Sequence, residues 1–222
     1  MSADSSPGPA VTPDTTGFLR HAPVQERGRR RVQQLLDAAA QVIAESGVDN
    51  ATTNAVAARA ETSVGVLYKF FPNKQAIVEA LALRYIEEIE QLLSRQEQAG
   101  IADWPIAHAV TWLVHAIMDF HREHPAYQHV YRAVRGSSGE QAILLLDPAK
   151  GVIDHLLALR APAVAAERRE WHAITAVEAA HALAIQACAL PPEGAERMME
   201  EATILLTRYL TPDYAPDQSP AS

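Results

Sequence analysis

Apolar side chains recur along most of the chain at intervals of three and four residues, the spacing that gathers them on one face of an α-helix. Val32, Leu35, Leu36, Ala39, Val42 and Ile43 make the first such stripe, and Gly47 follows it as a helix-ending signal. Asn73 is placed to cap a later helix whose stripe is Ile77, Leu81, Tyr85, Ile89, Leu92 and Leu93; this helix is expected to run to about Ala99, before Gly100. Met198, Ala202, Leu205 and Tyr209 form another stripe near the end. No stretch alternates apolar and polar residues in the manner of a strand, and no internal repeat is visible. Prolines at 105, 125, 148, 162, 191 and 192 fall at helix starts or connections. The pattern predicts an all-α protein of roughly nine helices.

The ends break the pattern. Residues 1–23 hold four prolines among Ser, Thr and Gly, and residues 211–222 hold three more, so both are expected to be mobile tails. The first 20 residues contain no apolar run, which argues against a signal peptide and for a cytoplasmic location. The most apolar stretch, Trp171 to Leu190, is mostly alanine and is interrupted by His172, Glu178, His181 and Gln186. It reads as a helix buried in protein rather than a lipid span, which needs ~20 strongly apolar residues.

Composition narrows the class. The chain has 222 residues, 48% hydrophobic and 21% charged, enough for a sizeable core. A single cysteine, Cys188, excludes an intramolecular disulfide framework and a cysteine-rich zinc site, and it reads as core filler. The net charge of −8 excludes a uniformly basic coat, but the charge is unevenly spread. Between Arg20 and Lys74 eight basic residues face five acidic ones, leaving +3 there and −11 elsewhere. A basic head on an acidic body points to a localised polyanion site. No nucleophile motif, Gly-rich phosphate loop or pair of catalytic carboxylates is present, which argues against an enzyme, and no cofactor is implied.

The informative segment is GVDNATTNAVAARAETSVGVLYKFFPNK, Gly47 to Lys74. Two short helices fit it. One is capped by Thr52 or Thr53 and carries Val56, Ala57 and Ala60; the other is capped by Thr62 or Ser63 and carries Val66, Leu67 and Phe70. About three residues separate them, a helix-turn-helix spacing, and the small residues Ala57, Ala60 and Gly65 let the two helices cross closely. The start of the second helix is then free to enter a major groove, with its N–H groups and dipole favouring phosphate. Ser63, Val64, Gly65 and Val66 form that start: the valines can touch thymine methyl groups and Gly65 permits close approach. Arg29, Arg30 and Arg31 can reach the DNA from the first long helix, while Leu67 and Phe71 read as core.

The motif Thr52-Thr53, Val56-Ala57, Arg59-Ala60, Ser63, Gly65, Leu67-Tyr68-Lys69, Phe71-Pro72-Asn73-Lys74 resembles the DNA-binding domain of the TetR/AcrR transcriptional regulators. The likeness reaches back over Leu35, Ala38, Ala39, Val42, Ile43 and Gly47, and covers about residues 27–80. It departs from the family at Glu61, where a turn glycine is usual and a positive φ at some cost is therefore expected, at Val64, where a basic or polar residue is usual, and at Phe70, where a histidine is usual. The resemblance implies a helix-turn-helix domain over 24–74 and a ligand-binding and dimerisation domain over 75–210. It implies that Thr53, Asn54, Tyr68, Lys69 and Lys74 lie near phosphates, as Arg30 can. It also implies a homodimer paired through the last two helices, a palindromic double-stranded operator, and repression relieved by a small molecule.

The acidic body supports that expectation in part. The alanine-rich helix is apolar around most of its circumference, so one subunit would hardly cover it. Aromatic and histidine residues concentrate in the middle of the chain. His108, Trp112 and His115 share a helix face through spacings of four and three; with Tyr127, Tyr131 and Trp171 they are candidates to line a cavity for a small organic ligand. His121 and His124, spaced i, i+3, offer two imidazoles to a divalent metal, but without a carboxylate or cysteine partner at matching spacing no metal site is assigned. An alternative stays open: a helical dimer acting by protein contact with a silent DNA head. No membrane partner is expected.

Overall fold

The computed structural model describes residues 26–136 and 147–214, and among these it contains nine α-helices and no strand. The helices are α1 (Glu26–Asn50), α2 (Thr53–Arg59), α3 (Val64–Phe70), α4 (Lys74–Gln98), α5 (Ile106–Glu123), α6 (Tyr127–Gly136), α7 (Asp147–Arg160), α8 (Ala166–Cys188) and α9 (Pro192–Tyr214). The tail expected over 1–23 lies outside the described residues.

Helices α1 to α3 form the N-terminal head. The first predicted stripe is buried in full, from Val32 to Ile43. Gly47, at φ +74°, breaks the helical path near the end of α1, which only a residue without Cβ does cheaply. Leu67 of α3 and Phe71 just after it are completely buried, each contributing ~1.5–3 kcal/mol by burial. Two polar ties hold the head on its supports. Arg59 of α2 donates to both carboxylate oxygens of Glu45 on α1, at 2.9 and 2.7 Å, and this pairing holds the Glu45 carboxyl below its usual range. Lys74, the first residue of α4, donates to the carbonyls of Val48 and Asp49 at 2.8 and 2.9 Å, closing the end of α1.

Helix α4 begins at its expected cap: the Asn73 side chain accepts from the Ala76 N–H, and Gly100, at φ +78°, follows its end. It leaves the head along α1 and reaches α7. The remaining helices form the C-terminal bundle, in which α8 packs on α5, α7 and α9, and α9 also packs on α5. Helix α6 lies against both α1 and α4, so head and bundle share one continuous core.

Helix α9 runs four residues past Leu210, into the stretch read as tail. Pro212 lacks an N–H for the helical ladder, yet the turn holds because Tyr214 is anchored twice. Its carbonyl accepts from Arg160 Nε at 2.7 Å, and its hydroxyl lies 2.8 Å from His172 Nδ1. Residues 215–222 lie outside the described residues.

The turn between α2 and α3 carries the cost anticipated from Glu61. The Glu61 N–H bonds to the Ala58 carbonyl and the Thr62 N–H to the Ala57 carbonyl, a paired helix-ending motif that requires a left-handed residue between them. Glu61 fills that place at φ 50°, alone among the non-glycine residues described. Glu61→Gly is therefore expected to raise stability by up to ~1 kcal/mol and Glu61→Val to lower it by at least as much, read as shifts in thermal midpoint.

Candidate nucleic-acid interface and internal cavity

The helix-turn-helix is built from its caps outward. The Thr52 hydroxyl accepts from the Ala55 N–H at 3.1 Å and starts α2; the Ser63 hydroxyl accepts from the Val66 N–H at 3.3 Å and starts α3. The Thr53 and Tyr68 hydroxyls lie 3.2 Å apart, bridging the two helices on their outer side. With Leu67 turned inward, Ser63, Gly65, Tyr68 and Lys69 are exposed on α3, and Asn54 is exposed on α2. A Cβ built on Gly65 would meet only Ser63 Oγ, at 3.9 Å, so nothing within the protein requires glycine there. Val64 and Val66 are half-buried, and Val64 packs against the core. Arg30 is exposed and pairs with Glu26 one turn earlier, while Arg31 donates to Gln34 at 3.0 Å. Lys74 differs from the other candidates, because two of its three N–H groups already serve α1.

Two apolar cavities lie inside the bundle. The first is bounded by α4, α5, α7, the middle of α8 and the last turns of α9, and includes Trp112, Ile153, Leu157, Arg160 and Leu210. The second includes Ile89, Phe120, His121, Tyr127, Val177 and His181. Leu93 and Leu113 belong to the walls of both. Arg160 closes the first by donating to the Tyr214 carbonyl and to the Ala102 carbonyl at 2.8 Å. At the other end, His121 Nε2 and His181 Nδ1 lie 3.3 Å apart, and the His181 ring packs 4.2 Å from that of Tyr131. Burial, with the neighbouring His124, holds His121 down to about 4; burial, with His121 and Arg135, holds His181 down to about 3.

Two family models match the chain. Residues 35–81 match "Bacterial regulatory proteins, tetR family", and residues 105–210 match "Tetracyclin repressor-like, C-terminal domain". The chain belongs to the TetR family of transcriptional regulators. A TetR-family regulator from Streptomyces coelicolor shares its fold with a TM-score of 0.64 at 26% identity, over 82% of this chain and 99% of that one. The nicotine-responsive transcriptional repressor HdnoR of Paenarthrobacter nicotinovorans is 32% identical over 40% of this chain and 45% of its own length. The repressor KstR of Mycolicibacterium smegmatis is 33% identical over 34% of this chain and 37% of its own length. The matched stretch thus spans less than half of either curated relative.

Within this TetR-family bundle the ligand candidates separate. Trp112 and Tyr127 line the cavities, and Tyr131 is buried beside His181, with its hydroxyl accepting from Arg135. His108 and His115 are exposed: His108 stacks on Trp104, and His115 bonds the Thr111 carbonyl. At about 100° per residue they lie roughly 140–180° around α5 from Leu113 and Ile117. Trp171 is 62% exposed on α8 and lines neither of these two cavities. Cys188 is likewise exposed rather than core filler, with its thiol directed at Met118 Sδ, 3.9 Å away.

His181 and Arg160 escaped the sequence reading. His181 carried a usable signal, since it continues the buried face of α8 through Val177 and Ala184. His121 and His124 turn to different partners, His181 and Glu88, and among the described residues no group of three or more His, Cys, Asp or Glu is arranged for a metal ion. No described helix is long and apolar enough to cross a membrane.

Proposed function

We propose that the protein is a homodimeric repressor. Two α3 helices hold a palindromic operator, and a small organic molecule in the bundle cavity releases it. The observation that carries this reading is the capped α2–α3 pair, with Leu67 locked inside and an exposed outer edge on which Gly65 has no internal reason to be glycine. HdnoR, described as a nicotine-responsive repressor, supports the ligand-relieved mode.

Dimerisation is supported by the outer faces of α8 and α9 and the turn between them, where Trp171, Leu190, Ile204 and Leu205 are exposed. Large apolar side chains on neighbouring helices are poorly matched to water and suit a two-fold contact with a second copy. Such a dimer presents two heads a whole number of DNA turns apart, roughly 34–36 Å per turn.

Coupling has a physical route. Asp37 on α1 accepts from Arg84 on α4 at 2.6 Å, Arg84 Nε lies 3.7 Å from Glu88, and Glu88 lies 3.2 Å from His124 at the end of α5. The His124 ring packs 4.4 Å from Phe120, which lines the second cavity. A ligand that favours one setting of these contacts shifts the head only by its difference in affinity between the two settings; ~1–3 kcal/mol changes DNA affinity about 5- to 150-fold.

Operator fragments captured from genomic DNA provide the test. Binding to them should weaken with salt, and Lys69→Ala should lower affinity on all sequences and reduce the slope of log affinity against log salt by about one per subunit contact. A slope unchanged by Lys69→Ala removes Lys69 from the phosphate contacts, and no salt-dependent retention at all favours the protein-contact alternative.

A further inference from the structure

Three histidines are buried among the described residues, and they are not equivalent. His172 meets the Tyr214 hydroxyl. His121 meets His181, but His181, only 4% exposed, keeps its second nitrogen, Nε2, without a hydrogen-bond partner. Leaving a buried polar atom unsatisfied costs ~1–3 kcal/mol. This one sits on a ring that lines an otherwise apolar cavity, beside Phe120 and Tyr127.

The shape of the space adds a second constraint. The two cavities meet at Leu93 and Leu113, and their lining on α5 runs from Ile106 to His121. At 1.5 Å per residue that is a path of about 22 Å, with Leu93 and Leu113 in the lining of both parts. Such a space takes an extended chain better than a compact ring system.

The chemistry of the head group follows from the histidine pair. With both rings neutral, one donates its N–H to the bare nitrogen of the other. If His121 donates, His181 carries its proton on Nε2 and offers a donor; if His181 donates from Nδ1, its Nε2 is a bare acceptor. A hydroxyl satisfies either arrangement, since it both donates and accepts, whereas a carbonyl satisfies only the first. A carboxylate finds no free cation here: burial keeps both rings uncharged at neutral pH, and the nearby Arg135 is already bonded to the Tyr131 hydroxyl and Glu178. Arg160, at the far end, is bonded to two carbonyls.

We infer that the cavity takes an elongated, uncharged aliphatic molecule ending in a hydroxyl, with that hydroxyl seated on His181 Nε2 beside His121 and the chain lying past Leu93 and Leu113 toward Arg160. This rests on the reading of the cavity as the effector site and specifies what that site accepts.

Titration of the full-length protein with 1-octanol, 1-chlorooctane and octanoate, followed by calorimetry, tests it. The alcohol should bind at least about tenfold tighter than either of the others, as a hydrogen bond to an otherwise unsatisfied buried group implies. Affinity should rise about fourfold per added methylene from 1-octanol to 1-decanol. His181→Phe, which keeps the ring volume, should leave chlorooctane binding in place and erase the preference for the alcohol. The wild-type ratio of alcohol to chloride remains decisive should that variant fail to fold. Equal binding of alcohol and chloride, preference for octanoate, a preference that survives His181→Phe, or no binding of 1-octanol up to its solubility each overturns the inference. Release of the operator only by molecules of another class also overturns it while leaving the regulator reading intact. Tight, His181-dependent alcohol binding without effect on operator occupancy supports the inference and sinks that reading instead.

Discussion

Gly65→Leu is expected to leave the protein folded, and up to ~1 kcal/mol more stable, while lowering operator affinity about a hundredfold or more. The two effects have opposite signs because they have different origins. Within the protein, a Cβ at this position meets only the Ser63 hydroxyl at ordinary contact distance, and leucine is a better helix former than glycine. On DNA, the same side chain would stand between the start of α3 and the base edges, forcing the helix out of the groove and loosening several contacts worth ~1–3 kcal/mol each. Thermal melting and operator titration on one preparation read both effects. Unchanged operator affinity with a raised melting point would mean that α3 approaches DNA by another edge, or not at all.

The second large effect is expected from Trp171→Glu combined with Leu205→Glu. Both side chains are more than half exposed, at 62% and 53%, so neither change disturbs the subunit core. Each places a charge on the face proposed to meet a second copy, where a buried unpaired charge costs several kcal/mol. The double variant should sediment as a monomer of about 24 kDa with its helix content intact. Because one subunit then offers one reading head, loss of the linked second contact should weaken operator binding ~10²- to 10⁴-fold. A variant that remains dimeric would place the interface elsewhere on the bundle.

Much of the fold was legible because it rests on short-range rules. The stripe from Val32 to Ile43, the caps at Thr52, Ser63 and Asn73, and the positive φ at Glu61 all follow from residues within a few positions of one another. The cavity was less legible because its walls are assembled across the chain: His121 and His181 are 60 positions apart and meet only when α5 packs on α8. Spacing along α5 grouped His108 and His115 with Trp112, but it carried no information about which side of that stripe would face the bundle. The extent of α9 was missed for the same reason. Its last turn, past Pro212, is held by Arg160 and His172 from two other helices rather than by local preference.

Helix α4 also sets a scale for the whole molecule. Its 25 residues span about 37 Å, and one end lies in the head while the other borders the cavities. A rod of that length pivoted near one end by about 5° displaces its opposite end by about 3 Å, close to the 3.4 Å rise between successive bases of a strand. On the proposed function, a cavity occupant would need to melt or unhinge nothing to be felt at the double helix; leverage would convert a shift smaller than a methyl group beside the pivot into a misregistration of one base step.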